Sequence, residues 1–502
     1  MDKEVKDEKK NQDNVAKAIV NAVTAPVQTI ANVVTAPVHT IANVITSPVE
    51  TIVKPFQHFL EQERSGGIVL GISVILALIL ANSPWSEYYN DILTYHFGFT
   101  LGETQFLNFS LYHWINDGLM SIFFLTVGLE LKQEFVAGEL SSFRKALLPL
   151  GCAVGGMLGP AIIYHLLNPS GPEAVGWGIP MATDIAFAVG VLYLVGNKVP
   201  NAFKVFLLAL AIFDDMGSVI VIALFYSTNV SLPYLGIALI FTIGLLLGNK
   251  AGVKNLWFYA VVGIVGVWYP FLMSGVHATI GAVVIAFTIP ANAKQQATLY
   301  FSKIKQRMQQ FGEMQPDSKG ILTDDQVHIL DDIKKKIIAA TPPLQRVEYG
   351  LHSIVTFVVL PIFALANAGV SFAGINPDDL FNNHVIFGVG FGLLFGKVIG
   401  IVGSLLLLVA LKLAPMPKGM HGRNLLGLGL LGAIGFTMSL FVTSLAFRDA
   451  LHLDQAKIGI FAASILGGLF AYLILSRNKP VHPDGTPIEE GEETAQAEKA
   501  EA

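Results

Sequence analysis

Residues 210–225 read "LAIFDDMGSVIVIALF". Two adjacent aspartates, Asp214 and Asp215, stand inside a run otherwise apolar enough for a bilayer. Each charge at a bilayer centre costs about 2.5–3.5 kcal/mol on insertion scales. Neighbours on a helix diverge by about 100°, so the two carboxylates point different ways. One can face a water-filled cavity while the other turns toward a neighbouring helix. The stretch predicts a membrane helix whose acids are put to use.

The rest of the chain agrees with a membrane setting. Of 502 residues, 53% are hydrophobic and 14% charged, where soluble domains carry roughly 25% charged residues. A span needs about 20 apolar residues. Windows of that length predict an all-α polytopic protein with twelve spans, near 66–83, 111–132, 146–167, 175–195, 204–226, 232–248, 255–272, 274–290, 350–370, 384–411, 424–447 and 456–476. The polar opening "MDKEVKDEKKNQDN" predicts no secretory signal. The single Cys152 excludes an intrachain disulfide framework, and a net charge of −5 gives no argument for a nucleic-acid partner.

Loop charges orient the spans. Lys132, Arg144 and Lys145 follow span 2, Lys198 and Lys204 span 4, Lys250 and Lys254 span 6, and Lys412, Lys418 and Arg423 span 10. The alternate loops "NPSGPEAVG", "STNVS", "GINPDDLFNNH" and the acidic 84–110 region lack Lys and Arg; Arg448 and Lys457 after span 11 are the exception. The positive-inside rule then predicts that both termini are cytoplasmic.

Three segments lie outside the spans. The 1–56 extension repeats an 11-residue unit, "VTAPVQTIANV", "VTAPVHTIANV", "ITSPVETIVKP". Eleven residues return to one helical face, while Pro26, Pro37 and Pro48 break any continuous helix. Short amphipathic helices on the membrane surface and a solvated, partly disordered extension are both open. Between the blocks 57–290 and 349–478, residues 291–348 read as a cytoplasmic linker. In it "TDDQVHILDDIKKKIIAA" predicts a helix, with a Thr323/Gln326 capping box and Val327, Leu330, Ile333 and Ile337 along one face. The acidic tail 479–502 predicts disorder.

Inside the spans, Asp117, Asp184, Asp214, Asp215 and Lys397 carry ionisable groups, and span 11 holds the polar, glycine-rich "LLGAIGFTMSLF". Asp117, near a membrane face, is either a lock between helices or a functional acid. Three further acids and one base at mid-membrane gain little over apolar packing unless their protonation is used. For a carboxylate there, desolvation and a nearby ammonium pull proton affinity in opposite directions, so protons and small cations compete for the same oxygens. Asp214 or Asp215, with a Thr183 or Thr437 hydroxyl and freed carbonyls, suits a hard monovalent cation. Pro180 with Thr183–Asp184 interrupts span 4, and Gly432, Gly435 and Thr437 interrupt span 11. Paired broken helices of this kind point to an inverted repeat with its site at the midplane. Asp184 and Lys397 have the right signs to neutralise the ends of the half-helices.

The motifs "WINDGLMSIFFLTVGLELKQE" (114–134), "IPMATDIAFAVGVL" (179–192), "ALAIFDDMGSVIVIALFY" (209–226), "SGVHATIGAVV" (274–284), "LPIFALANAGV" (360–370), "GLLFGKVIG" (392–400) and "GAIGFTMS" (432–439) resemble the bacterial NhaA sodium–proton antiporter family, from about residue 56 to 477. That family is itself a known instance of the paired-broken-helix architecture. The resemblance implies an inverted-repeat core with spans 4 and 11 unwound and crossing. It implies that Asp215 is the main cation- and proton-binding carboxylate, that Asp214 pairs with Lys397, that Thr183 lines the site, and that Asp184 and Lys397 compensate charge around Gly435 and Thr437. It ties Glu130, Glu134 and His277 to pH response, although His277 is equally readable as a packed core histidine. It further implies electrogenic export of Na⁺ or Li⁺ against H⁺, pH homeostasis, a bacterial cytoplasmic membrane, and a homodimer joined through a hairpin in 84–110. No cofactor is implied. The acidic and histidine residues that some members carry just after span 8 have no clear counterpart in "ANAKQQATLY" (291–300).

Other classes fit less well. Intramembrane aspartyl proteases use two aspartates on converging helices within Gly-x-Gly-Asp, and no Gly-Asp dipeptide occurs here. Nothing resembles a channel filter. A Na⁺-coupled organic-anion symporter of related fold remains the alternative, against which Lys397 and the aspartate doublet argue.

Overall fold

The computed structural model describes residues 64–479 except 102–103, 139–140, 228–229, 293–296, 315–321, 372–382, 418 and 421. The repeat at 23–55 and the tail beyond 479 lie outside the described residues. In chain order the elements are α1 (Arg64–Ala81), α2 (Ser86–Thr94), a hairpin of β1 (His96–Leu101) and β2 (Thr104–Ser110), α3 (Leu111–Ala137) and α4 (Phe143–Leu167). A 3₁₀ segment (Pro172–Met181) precedes α5 (Ile185–Val195). Then follow α6 (Asn201–Phe225), α7 (Leu232–Lys250), α8 (Leu256–Met273), α9 (Ala278–Thr288), α10 (Ala297–Glu313), α11 (Asp324–Ala340), α12 (Pro343–Asn367) and α13 (His384–Ala410). The last three are α14 (Arg423–Gly432), α15 (Phe436–Ala446) and α16 (Ala450–Leu475).

Among the described residues nine helical segments are long and apolar enough to cross a bilayer, and up to eleven if each of two bent pairs is one span. By length and composition this does not confirm the expected count of twelve, and one further apolar helix, Ala278–Thr288, is shorter. The span placed at 274–290 is an 11-residue helix, α9, about 16 Å long at 1.5 Å per residue and shorter than the hydrocarbon layer. The helix carrying span 9 begins at Pro343, inside the 291–348 segment read as linker.

The described residues divide into two compact units, one within 301–337 and the other within 64–300 and 338–479. The described part of the first is the pair α10–α11. Thr323 and Gln326 form the expected reciprocal cap, each side chain accepting the other's backbone N–H at 3.0 and 3.4 Å. The expected apolar face needs correction: Gln326 and Ile329 are buried, while Val327 and Ile337 are exposed. Arg307 Nε of α10 meets Asp332 Oδ2 of α11 at 2.8 Å, so this charged pair, not an apolar stripe, marks where the two helices meet.

In the second unit burial separates centre from rim. The broken pair α14–α15 is 94% buried inside the protein, whereas α7 is 11% buried. Helices apolar on every side belong either in a core or against lipid, and these two are the extremes. Phe441 of α15 packs on Phe124 of α3 and Phe363 of α12, ring centroids 5.3 and 6.2 Å apart. A second apolar cluster, with Leu129, Leu245, Tyr259, Val267 and Ile285, joins α7, α8 and α9 to α3.

Lys397 owes its position to glycine. Gly155 and Gly159 of α4 face Gly396 and Gly400 of α13, a small-xxx-small spacing on both helices. A Cβ at Gly400 would collide with the Gly155 carbonyl oxygen, and one at Gly396 would stand 2.6 Å from Pro160 Cα. A π-helical turn at Gly392–Gly396 ends directly before Lys397; such turns re-aim the side chains that follow them. The hairpin pairs His96 with Ser110 and Phe97 with Phe109, and a bulge follows Phe97.

Candidate functional site

The crossing is built from two interrupted helices. Residues 182–184 are extended between the 3₁₀ segment and α5, with a 42° bend. Ala433–Gly435 separates α14 from α15. Each break frees backbone groups, and each supplies partners for the other. Asp184 N–H donates to the Ile434 carbonyl at 2.6 Å, and Ser439 Oγ donates to the Ile179 carbonyl at 2.9 Å. Gly435 permits the close approach: a Cβ there would lie 2.9 Å from the Ala182 carbonyl oxygen and 2.8 Å from Leu393.

Asp184 caps two helices at once. Its Oδ1 accepts from Phe187 N–H at 3.1 Å, closing the N-terminus of α5. Its Oδ2 accepts from Thr437 N–H at 2.9 Å and from Thr437 Oγ1 at 2.5 Å, closing the N-terminus of α15. Two positive helix ends thus share one buried carboxylate.

Lys397 serves the opposite sign. Its Nζ donates to Asp214 Oδ2 at 2.5 Å and to Thr183 Oγ1 at 2.9 Å. Thr183 Oγ1 donates onward to the Gly432 carbonyl at 3.0 Å, the negative C-terminal end of α14. The lysine's charge reaches that end through one hydroxyl, and Thr183 has its proton and one lone pair already engaged.

Asp215 stands apart from these contacts. It is buried beside Asp214 on α6, and neither of its oxygens has a hydrogen-bond partner. Asp214 Oδ1 and Ser218 Oγ are likewise buried and unpartnered. Buried polar atoms are nearly always satisfied, so four orphan oxygens within five residues of one helix mark a place for something that donates or coordinates. Ser218 lay in the opening stretch of sequence but was not singled out there. It stands one helical turn past the doublet, and only its unpartnered hydroxyl marks it.

A sequence model of the Na⁺/H⁺ antiporter 1 family matches residues 57–475. The chain belongs to that family. It is 45% identical over 428 residues to Na(+)/H(+) antiporter NhaA 2 of Syntrophotalea carbinolica, covering 84% of this chain and 96% of the relative. It is 46% identical over 433 residues to Na(+)/H(+) antiporter NhaA of Acidithiobacillus ferrooxidans, covering 85% and 99%. With Na(+)/H(+) antiporter NhaA 1 of Clostridium beijerinckii it shares 44% over 421 residues, 84% and 94%. Membership of this family and the many apolar helices make it a multi-pass membrane protein of a transporter family, with the all-α fold expected from the sequence.

In this family member the residues associated with pH from sequence fall in two separate places. Glu130 and Glu134 lie near the C-terminal end of α3, in one electrostatic neighbourhood with Glu348 of α12. Glu348 was missed in sequence because it lies at the far end of the 291–348 segment read as linker, not in 291–300. His277 is elsewhere, at the start of α9, with Nε2 3.1 Å from the carbonyl of Tyr226 at the end of α6. There it joins Asp117, 13 residues or about 20 Å before Glu130 along α3. Asp117 Oδ2 is 3.4 Å from His113 Nε2, and His277 lies in the same neighbourhood.

Proposed function

We propose that this chain exchanges Na⁺ for H⁺ across the membrane, with Asp215 as the carboxylate that each ion occupies in turn and Asp214 as its neighbour, held by Lys397. The observation that carries this reading is Asp215 itself, a buried acid whose oxygens are both unpartnered while every other charge at the crossing is matched. The names of the relatives, Na(+)/H(+) antiporters, support the choice of ions.

The physics of burial makes exchange obligatory. An unpaired carboxylate in a low-dielectric interior costs several kcal/mol. A proton or a monovalent cation removes that cost; an empty site does not. Rearrangement that moves the site from one side of the membrane to the other is therefore favourable only when it is loaded. A cation between Asp214 and Asp215 also competes with the Lys397 ammonium for Asp214. That competition offers a second proton per cycle and hence electrogenic exchange by alternating access. Thr183, Gly435 and Thr437 keep the crossing in register, and Asp184 and Lys397 hold its half-helix ends.

The loop charges support a cytoplasmic-membrane orientation with both termini inside, and export of Na⁺ or Li⁺ serving pH homeostasis. Glu130 and Glu134 near one end of α3, with His277 and Asp117 near the other, are the groups to which we assign pH response. The β1–β2 hairpin is the proposed contact of a homodimer. The reading is tested by Asp215→Asn in proteoliposomes with an entrapped pH dye. Na⁺-dependent proton movement is expected to vanish while the variant remains folded and monodisperse. Wild-type exchange in Asp215→Asn would remove Asp215 from the role.

A further inference from the structure

We infer that the Ser218 hydroxyl is a ligand of the transported cation, the neutral third member of a site whose charged members are Asp214 and Asp215; this rests on the reading above. Ser218 is 3% exposed, and its Oγ has no hydrogen-bond partner. That is unusual within this chain. Serines and threonines inside helices ordinarily fold back onto the carbonyl one turn earlier, as Ser73, Thr126, Thr242 and Thr443 do here, each donating to residue i−4 at 2.7–3.1 Å. Ser218 does not take up the equivalent bond to Asp214.

Position explains what it is kept for. Ser218 is four residues after Asp214 and three after Asp215, so its Cβ lies on the same side of α6 as both, one turn on. Asp214 Oδ2 is taken by Lys397, which leaves Asp214 Oδ1, the two Asp215 oxygens and Ser218 Oγ as the unpartnered oxygens of this stretch. A proton needs one of them. A hard cation that has shed water needs several oxygens at once. A neutral hydroxyl therefore favours the cation in its competition with the proton, because it adds coordination without adding a charge that would bind protons equally well.

The test is initial-rate exchange in proteoliposomes with Na⁺ and separately Li⁺, in Ser218→Ala, Ser218→Thr and Asp215→Asn. Losing one oxygen from a buried charged site is expected to raise the apparent KM for Na⁺ in Ser218→Ala about ten-fold, going by the worth of hydrogen bonds to charged groups, with the maximal rate retained. Ser218→Thr keeps the hydroxyl and should hold KM near wild type. An unchanged KM in Ser218→Ala, or a lowered maximal rate at constant KM, overturns the proposal. Should Ser218→Ala be inactive, an equally inactive Ser218→Thr overturns it as well. Asp215→Asn separates the two levels: if it is inactive while Ser218→Ala is normal, only the Ser218 assignment falls; if it is active, the underlying site falls.

Discussion

Lys397 Nζ and Asp214 Oδ2 meet at 2.5 Å with side chains 0% and 2% exposed. Removing one partner of such a pair leaves an uncompensated buried charge, at a cost of about 3–5 kcal/mol. Lys397→Met should therefore lower the thermal stability of the detergent-solubilised protein markedly. The double variant Lys397→Met/Asp214→Asn, which leaves no charge to strand, should recover most of the loss. A single variant that melts with the wild type would mean that the pair contributes no stability.

Asp184 tests the crossing itself. Loss of a cap costs about 1 kcal/mol, and Asp184→Ala loses two, at Phe187 and Thr437. We expect roughly 2 kcal/mol of destabilisation together with loss of exchange. Asp184→Asn keeps one acceptor oxygen and should fall between, because its amide cannot accept from the second N–H. Equal melting of Ala and Asn variants would show that the carboxylate does not cap both helices.

Much of this site was legible in the sequence, because charge in an apolar run is conspicuous. Asp184, Asp214, Asp215 and Lys397 each stood out against neutral surroundings, and Pro180 and Gly435 announced the two breaks. What stayed hidden was contact. That Thr183 passes the lysine's charge to Gly432, or that one carboxylate caps two helices, depends on segments some 250 residues apart meeting at a crossing. Ser218 was invisible for another reason: a serine in a membrane helix is ordinary, and only its missing bond to residue i−4 sets it apart. α9 is shorter than the 274–290 window because Ser274–His277 and Ile289–Pro290 lie outside the helix, a boundary that apolarity alone does not set. On α11 the apolar positions suggested one face, whereas Gln326 and Ile329 turned out to be the buried ones.

The α10–α11 contact is expected to be indifferent to physiological pH. Asp332 is hydrogen-bonded to Lys336 and paired with Arg307, and together they hold its carboxyl below the usual carboxylate range. A depressed folded-state value means that the contribution is complete above the unfolded value of about 3.9 and is lost as pH falls through the lower folded value. Nothing changes near neutrality. Asp332→Asn should therefore leave the midpoint of the pH–rate profile of exchange where it is in the wild type. A displaced midpoint would show that the helix pair takes part in the pH response.

The placement of Lys397 by glycine packing gives the sharpest mechanical prediction. At Gly400 an added Cβ meets the Gly155 carbonyl oxygen, and at Gly159 it meets that of Gly396; these are backbone atoms, which cannot rotate away. Overpacking of this kind costs about 1–3 kcal/mol, and relief requires α4 and α13 to separate. Separation carries Lys397 away from Asp214, since the lysine follows directly on Gly396. At Gly403 of the same helix a Cβ meets nothing within 4 Å. Gly400→Ala should therefore lose stability and exchange together, while Gly403→Ala keeps both, measured as melting temperature and Na⁺-driven dye dequenching on the same preparations. If Gly400→Ala melts lower yet exchanges normally, the contact supports the fold without setting the position of the lysine.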